Sequence, residues 1–252
     1  MTNITLTQAI LADVHSLASL NHIIFGDDRM SHYIYHTPPQ GSTERGAYDK
    51  YHLERGQSRV ARFLCNPRWH TIVAKTADGT IVGAAVWVIA GEASSRRLTI
   101  RELITYLFYK GYDCIVWFVP DWLGSVGQSK EQAAVIAREK RMHRTVASWE
   151  EKFIPQEIRR DGYDYLAILG VVPNFRRQGI AGMLLRWGCE RADEEGKAIY
   201  VCSSNVGAEK LYSKHGFTII GKEDIGEEGE KYAPVKEVSA MLRLPGIKER
   251  TH

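Results

Sequence analysis

The hydrophobic pattern changes period several times along the 252 residues, and each change marks an element. "NITLTQ" alternates apolar and polar positions, the period-2 signature of a half-buried strand. A period near 3.6 follows Asp13, a favourable N-cap, and predicts a helix to about Phe25. "GDDRMSHYIYHTPPQGS" (26–42) ends in Pro38, Pro39 and Gly41 and reads as a loop. A second helix is predicted from Thr43 to Cys65, stopping before Pro67. "WHTIVAKTADGTIVGAAVWVIA" is two apolar runs around Asp78-Gly79, the signature of a hairpin.

Residues 91–160 then interrupt the strands. They hold a helical "RELITYLFYKG", an aromatic-rich "CIVWFVPDWLG", and a capping box in which Ser129 faces Gln132 ahead of a helix to about Lys152. "YDYLAILGVV" is nearly all apolar, as a strand buried on both faces would be. "GIAGMLLRWGCERADEEG" returns to helical spacing through Met183, Leu184, Trp187 and Ala192, with Gly196 as its stop. "KAIYVCS" is a strand and "GAEKLYSKHGF" a short helix ended by Gly216. "TIIG" and "VKEVSAMLRL" are the last strands, separated by a charged loop, "KEDIGEEGEKY". The order predicts a mixed α/β (α+β) fold with hairpins in a single domain over 1–252, not a strict βαβ array.

Composition narrows the class. A net charge of +3 with 25% charged residues is too mild to point to nucleic acid or a membrane surface, so neither is expected as a partner. No apolar run approaches the roughly 20 residues of a membrane span, and the opening lacks the basic-then-apolar order of a signal peptide. Cys65, Cys114, Cys189 and Cys202 show no metal-type pairing and no scaffold density, so reduced thiols in a cytoplasmic protein are expected. Cys189 and Cys202 fall on predicted core faces. His32 and His36 are four apart, a spacing that chelates metal on a helix, but they lie in the Pro-flanked segment with no evident third ligand, so no metal is expected.

The chemistry concentrates in "VVPNFRRQGIAGMLL" (171–185), where a strand runs into a helix that opens with glycines. Such a junction leaves backbone N–H groups unpaired at the positive end of a helix dipole, which favours a bound phosphate. Gly179 and Gly182 permit close approach to the main chain, and Arg176 and Arg177 add positive charge. A P-loop is excluded because the Lys-Ser/Thr pair is missing, and a dinucleotide fingerprint because the first glycine pair is missing. A tight turn with two surface arginines remains the bland alternative.

This stretch, followed by "CSSNVGAEKLYSKHGF", resembles the GNAT superfamily of acetyl-CoA-dependent N-acetyltransferases. Arg176, Gly179 and Ala181 match the family's Arg/Gln-x-x-Gly-x-Gly/Ala signature. Asn205, Ala208, Leu211, Tyr212, Gly216 and Phe217 match its second block. The two blocks make 165–221 the expected acetyl-CoA-binding core. The resemblance implies a central mixed, twisted sheet of about seven strands flanked by helices, with residues 91–160 as a helical insertion between strands 3 and 4. The layout is similar to that of some fungal single-domain members.

The resemblance also implies roles. Leu169 and Val171, on a splayed fourth strand, would offer backbone groups to the pantetheine arm. Gln178, Gly179, Ile180, Ala181 and Gly182 would present N–H groups to the diphosphate, with Arg176 and Arg177 steering or clamping the phosphates. A main-chain N–H near Val171 would hold the oxyanion. Asn205 would bond the pantetheine or cap its helix. Tyr212 occupies the place of the general acid, or else is a core aromatic. For the base, the sequence offers Asp164, Glu92, Asp113, Asp121, His143 or a chain of waters. Tyr106, Phe108, Tyr109, Tyr112, Trp117, Phe118, Trp122 and Trp149 would wall an acceptor pocket or pack the insertion onto the sheet. The expected reaction is acetyl transfer from acetyl-CoA, without a metal, to the primary amine of a small molecule by direct attack. A protein or peptide acetyltransferase and a non-catalytic acyl-CoA sensor are the alternatives.

Overall fold

A computed structural model describes residues 3–26, 28–35, 38, 41–91, 98–108, 130–225 and 235–246. Its centre is a seven-stranded sheet of order β1-β2-β3-β4-β5-β7-β6. The strands are β1 (Ile4–Gln8), β2 (Trp69–Thr76), β3 (Ile81–Val88), β4 (Tyr163–Val171), β5 (Ala198–Ser203), β6 (Thr218–Ile225) and β7 (Val235–Arg243). Neighbours pair antiparallel except β4 and β5, which run parallel. The predicted hairpin turn is present, with Gly79 at φ +85°, where a side chain would be strained.

Helices cover both faces. On one lie α1 (Val14–Phe25), α2 (Arg29–Tyr35), α3 (Arg45–Cys65), α4 (Lys130–Phe153) and α5 (Gln156–Asp161). On the other lie α6 (Ile180–Glu195) and α7 (Val206–Lys214). The insertion between β3 and β4 is helical at 100–108 as well as in α4 and α5. Among the described residues no helix is long and apolar enough to cross a membrane.

Strand alternation sorts the core. Odd positions of β5, Ile199 and Val201, join Leu166, Trp87, Leu184 and Leu185 under α6. Even positions, Ala198 and Tyr200, meet Ile154 and Phe153 at the end of α4. Where α6 crosses β3, Gly188 leaves room for the Trp87 ring.

Three expectations need correction. The segment read as a loop contains α2. Asp28 starts it, accepting the Ser31 N–H at 2.6 Å and the His32 N–H on its backbone carbonyl at 2.9 Å. Met30, Tyr33 and Ile34 then give the i, i+3, i+4 stripe that packs on α4 and β7. His32 therefore does lie on a helix; no metal-binding group of three appears among the described residues, and His36 lies outside them. Asp13 precedes α1 but makes no capping bond. Its carboxylate instead accepts the Ile10 N–H and pairs with Lys75, both at 3.0 Å. Finally, β6 runs on through Lys222–Ile225, which the charge pattern assigned to a loop. As the edge strand it tolerates charge on its outer face.

The insertion is clasped to the N-terminal helices. Arg59 of α3 donates to the Tyr35 hydroxyl at 2.7 Å and to Glu139 of α4 at 2.6 Å. Tyr35 donates in turn to Glu139 at 2.8 Å, and burial pushes its phenol up to about 12. Arg138 of α4 caps the end of α2 through the Ile34 carbonyl at 2.7 Å. At its other end α4 reaches β6, where Trp149 Nε1 donates to Glu223 at 2.8 Å.

Gly188→Ala places a Cβ inside the Trp87 ring. It is expected to destabilise the fold by about 2 kcal/mol, the scale of an overpacked core. Urea unfolding followed by tryptophan fluorescence measures the shift.

Candidate active site

The pairing of β4 with β5 is short. It consists of Tyr163↔Ala198, Asp164↔Ile199 and Tyr165↔Tyr200, and nothing beyond. β4 then continues to Val171 along β3, and β5 to Ser203 along β7. The two strands splay apart and leave a wedge roughly 20 Å long at 3.3 Å per residue. A bulge helps to open it, since Val86↔Ile168 is followed by Trp87↔Leu166 and Ala167 is left over.

Hydrogen-bond alternation decides which groups face the wedge. The Val172 N–H donates to the Val82 carbonyl at 3.0 Å, so the even positions of β4 bond to β3. Leu169 and Val171 therefore turn their N–H and C=O groups to the open side. One of these carbonyls, that of Val171, already accepts from Arg176 Nε at 3.0 Å. Arg176 thus first ties the turn to the strand, a role the sequence did not reveal.

The turn between β4 and α6 has an unusual course. Pro173–Phe175 forms a 3-10 turn, Arg176 is extended, and Arg177 and Gly179 are left-handed at φ +64° and +82°. Gly179 caps α6 without any side-chain bond, and the first helical bond runs from the Met183 N–H to its carbonyl at 3.0 Å. The N–H groups of Ile180, Ala181 and Gly182 therefore have no intrahelical acceptor. Positions 176–179 are exposed, Ile180 anchors the helix in the core, and nothing lies within 4 Å of where a Gly179 Cβ would stand. Successive N–H groups around left-handed residues form an anion-binding concavity.

On the opposite edge of the wedge, Asn205 caps α7, its side chain accepting from Gly207 at 2.7 Å and Ala208 at 3.2 Å. Tyr212 of α7 is 5% exposed, and its ring lies 5.6 Å from Phe217. Burial raises its phenol well above the ordinary value, and Cys202 is near enough to add to the shift. Burial likewise pushes the Cys202 thiol up to about 12 and that of Cys189 to about 11.

Of the base candidates, Asp164 is removed. It points away from the wedge, to the α6 face, where it accepts the Ala90 N–H at 3.0 Å and pairs with Arg191. Burial raises its pKa against the pull of both partners. It locks β3, β4 and α6 together at the closed end of the wedge. His143 is on α4, held below its ordinary pKa by burial. Glu92, Asp113 and Asp121 lie outside the described residues. So do Tyr109, Tyr112, Trp117, Phe118 and Trp122, whereas Trp149 packs in the core and Phe108 is exposed.

One acid was missed. Glu150 of α4 accepts the Tyr163 hydroxyl at 2.7 Å on the sheet face opposite α6. Nothing in the sequence distinguishes it from Glu151 beside it; only the crossing of α4 over the sheet does.

A family model described as Acetyltransferase (GNAT) domain matches residues 135–219, the span holding the wedge, the turn and Tyr212. Comparison with curated proteins found no match. Among solved structures, arylalkylamine N-acetyltransferase 2 from Aedes aegypti is similar at 16% identity and a TM-score of 0.56, over 97% of this chain and 100% of that one. A Corynebacterium glutamicum structure described as histone acetyltransferase HPA2 and related acetyltransferase is 20% identical with a TM-score of 0.53, over 99% of each chain. The polyamine N-acetyltransferase of Drosophila melanogaster, described as forming N-acetylagmatine, is 14% identical with a TM-score of 0.51, over 97% of this chain and 100% of that one. These are likenesses of fold.

Asp164→Ala removes the acceptor of the Ala90 N–H and the buried one of the two carboxylates that pair with Arg191. The expected cost is about 3 kcal/mol, typical of breaking a buried pair. Chemical denaturation checks it.

Proposed function

We propose that this chain, whose residues 135–219 match a GNAT acetyltransferase domain, is an acyltransferase that transfers acetyl from acetyl-CoA to a primary amine of a small molecule by direct attack in a ternary complex. The observation that carries the reading is the wedge: two parallel strands part after three residue pairs and leave backbone groups facing a gap that ends at an anion-binding turn. An extended arm bearing amides and a diphosphate has the chemistry to satisfy both. Acetyl-CoA supplies the activated thioester.

The chain's own groups then have definite tasks. The N–H and C=O of Leu169 and the N–H of Val171 hydrogen-bond along the wedge. The N–H groups of Gly179, Ile180, Ala181 and Gly182, with that of Gln178, hold phosphate oxygens. Arg177 adds charge at the mouth, and Arg176 keeps the turn in shape through Val171. Asn205 spends its side-chain oxygen on the α7 cap, which leaves its amide nitrogen for a ligand.

Tyr212 keeps its proton throughout the ordinary pH range, because its pKa is raised. A phenol shifted in that direction is a poor acid but a dependable hydrogen-bond donor. Its task is to stabilise negative charge on the departing sulfur. Direct attack is favoured over an acyl-enzyme because Cys189 and Cys202 are held protonated, and the thiolate is the nucleophile. Small amines are favoured as acceptors because arylalkylamine and polyamine acetyltransferases share this fold.

Calorimetry is expected to detect acetyl-CoA binding, and thiol release to appear with members of a primary-amine panel. Binding without release for any amine would overturn the catalytic reading. Tyr212→Phe is expected to lower kcat on the order of 100-fold with acetyl-CoA affinity nearly unchanged. Arg177→Ala is expected to weaken acetyl-CoA binding, with the loss shrinking as salt is raised, since an exposed charge is screened. Equal losses at low and high salt would remove Arg177 from the phosphate site.

A further inference from the structure

The face of the sheet opposite α6 carries a compact group of ionisable side chains at the closed end of the wedge. Tyr163 and Tyr165 alternate on β4, and Tyr200 and Cys202 on β5, so all four point to that face. Tyr165 stacks on Tyr200 with centroids 5.8 Å apart, and Tyr163 meets Tyr200 edge-on at 6.0 Å. The Cys202 thiol donates to the Tyr200 hydroxyl at 3.1 Å. Tyr200 is fully buried and forms the floor, while Tyr163, Tyr165, Cys202 and Glu150 are each half-buried around it.

Glu150 governs this group. Its Oε2 accepts from Tyr163, and its charge is felt by Tyr165, Tyr200 and Cys202, each of which burial pushes towards the neutral form. Glu150 is the carboxylate set among these phenols and the thiol. Arg159 is the cation that reaches Tyr163, and its Nε is engaged by the Ile154 carbonyl at 3.1 Å. A half-buried carboxylate beside aromatic rings is the composition of an ammonium-binding site, where charge attraction and cation–π attraction add. The location suits an acceptor. Tyr165 and Tyr200 are the last paired residues, so the group sits where the wedge begins.

We propose that Glu150, with Tyr163, Tyr165 and Tyr200, forms the subsite that receives the ammonium of a cationic acceptor amine, and that Glu150 takes its proton. The inference rests on the transferase reading above. In the step, one N–H bond of the ammonium breaks and an O–H bond forms on the carboxylate, so an ion pair becomes a neutral acid and a neutral amine with a free lone pair. Tyr163 is a positioning residue that fixes the carboxylate by its hydrogen bond. The acceptor class that fits is an amine cationic at neutral pH and carrying an apolar or aromatic body.

The test uses a cation that cannot be acetylated, phenethyltrimethylammonium, and its uncharged carbon isostere. Calorimetry on the full chain, without acetyl-CoA, is expected to show that the wild type binds the cation at least 10-fold more tightly than the isostere. Glu150→Gln retains an acceptor for Tyr163 and so keeps the local structure. It is expected to abolish the discrimination, and Glu150→Asp to restore part of it. Equal discrimination in wild type and Glu150→Gln, or none in the wild type, would overturn the proposal. Acetyl-CoA binding is measured on the same samples. Its absence from the wild type would strike down the transferase reading, while the cation result still decides the subsite.

Discussion

Two parallel strands that separate after three residue pairs leave a row of backbone donors and acceptors with nothing to bond. Everything at the site follows from that shortfall at β4 and β5. A sheet interior does not tolerate open edges, because each unpaired buried N–H or C=O carries a desolvation cost of about 1–3 kcal/mol. The shortfall survives only because the edges are wet or because a ligand of matching chemistry fills them. The bulge at Ala167 and the Asp164 clamp hold the strands in this arrangement from either side. One bends β4 away; the other fixes its start to β3 and α6.

The two faces of the sheet divide the work. The α6 and α7 side supplies the diphosphate turn and Tyr212. The α1–α5 side supplies α4, which Arg59, Glu139 and Tyr35 hold at one end and Glu223 at the other. A helix anchored at both ends delivers Glu150 to a fixed place over β4. On the proposed reading, coenzyme binding and amine recognition draw on separate parts of the chain. The matched family segment begins inside α4.

Much of this was legible because it is local. The periodicity of 180–195, the Asp78-Gly79 turn and the glycine stop at Gly196 each depend on a few neighbouring residues. The strand-to-helix turn was legible for the same reason, since Gly179 has to adopt a positive φ for α6 to start where it does. The failures were non-local. α2 is seven residues long and looks like a loop until β7 and α4 cover Tyr33 and Ile34. Asp164 read as a candidate base because it was the acid on β4; only the third dimension places Arg191 and the Ala90 N–H against it. Arg176 read as a phosphate ligand, and its bond to Val171 spans a turn whose shape the sequence does not state.

The direction of the pKa shifts bears on the carboxylate proposed for the acceptor side. Burial raises every phenol and thiol at the closed end of the wedge, so none of them accepts a proton near neutrality. An ammonium with a pKa about 10.4 in water must nonetheless lose its proton to become a nucleophile. In the proposed subsite a carboxylate on α4 serves both steps, because it attracts the cation on arrival and is at hand when the proton leaves. The phenols that are too weakly acidic to ionise are then an advantage. They line the pocket with dipoles and ring faces and add no second negative charge to compete for the proton.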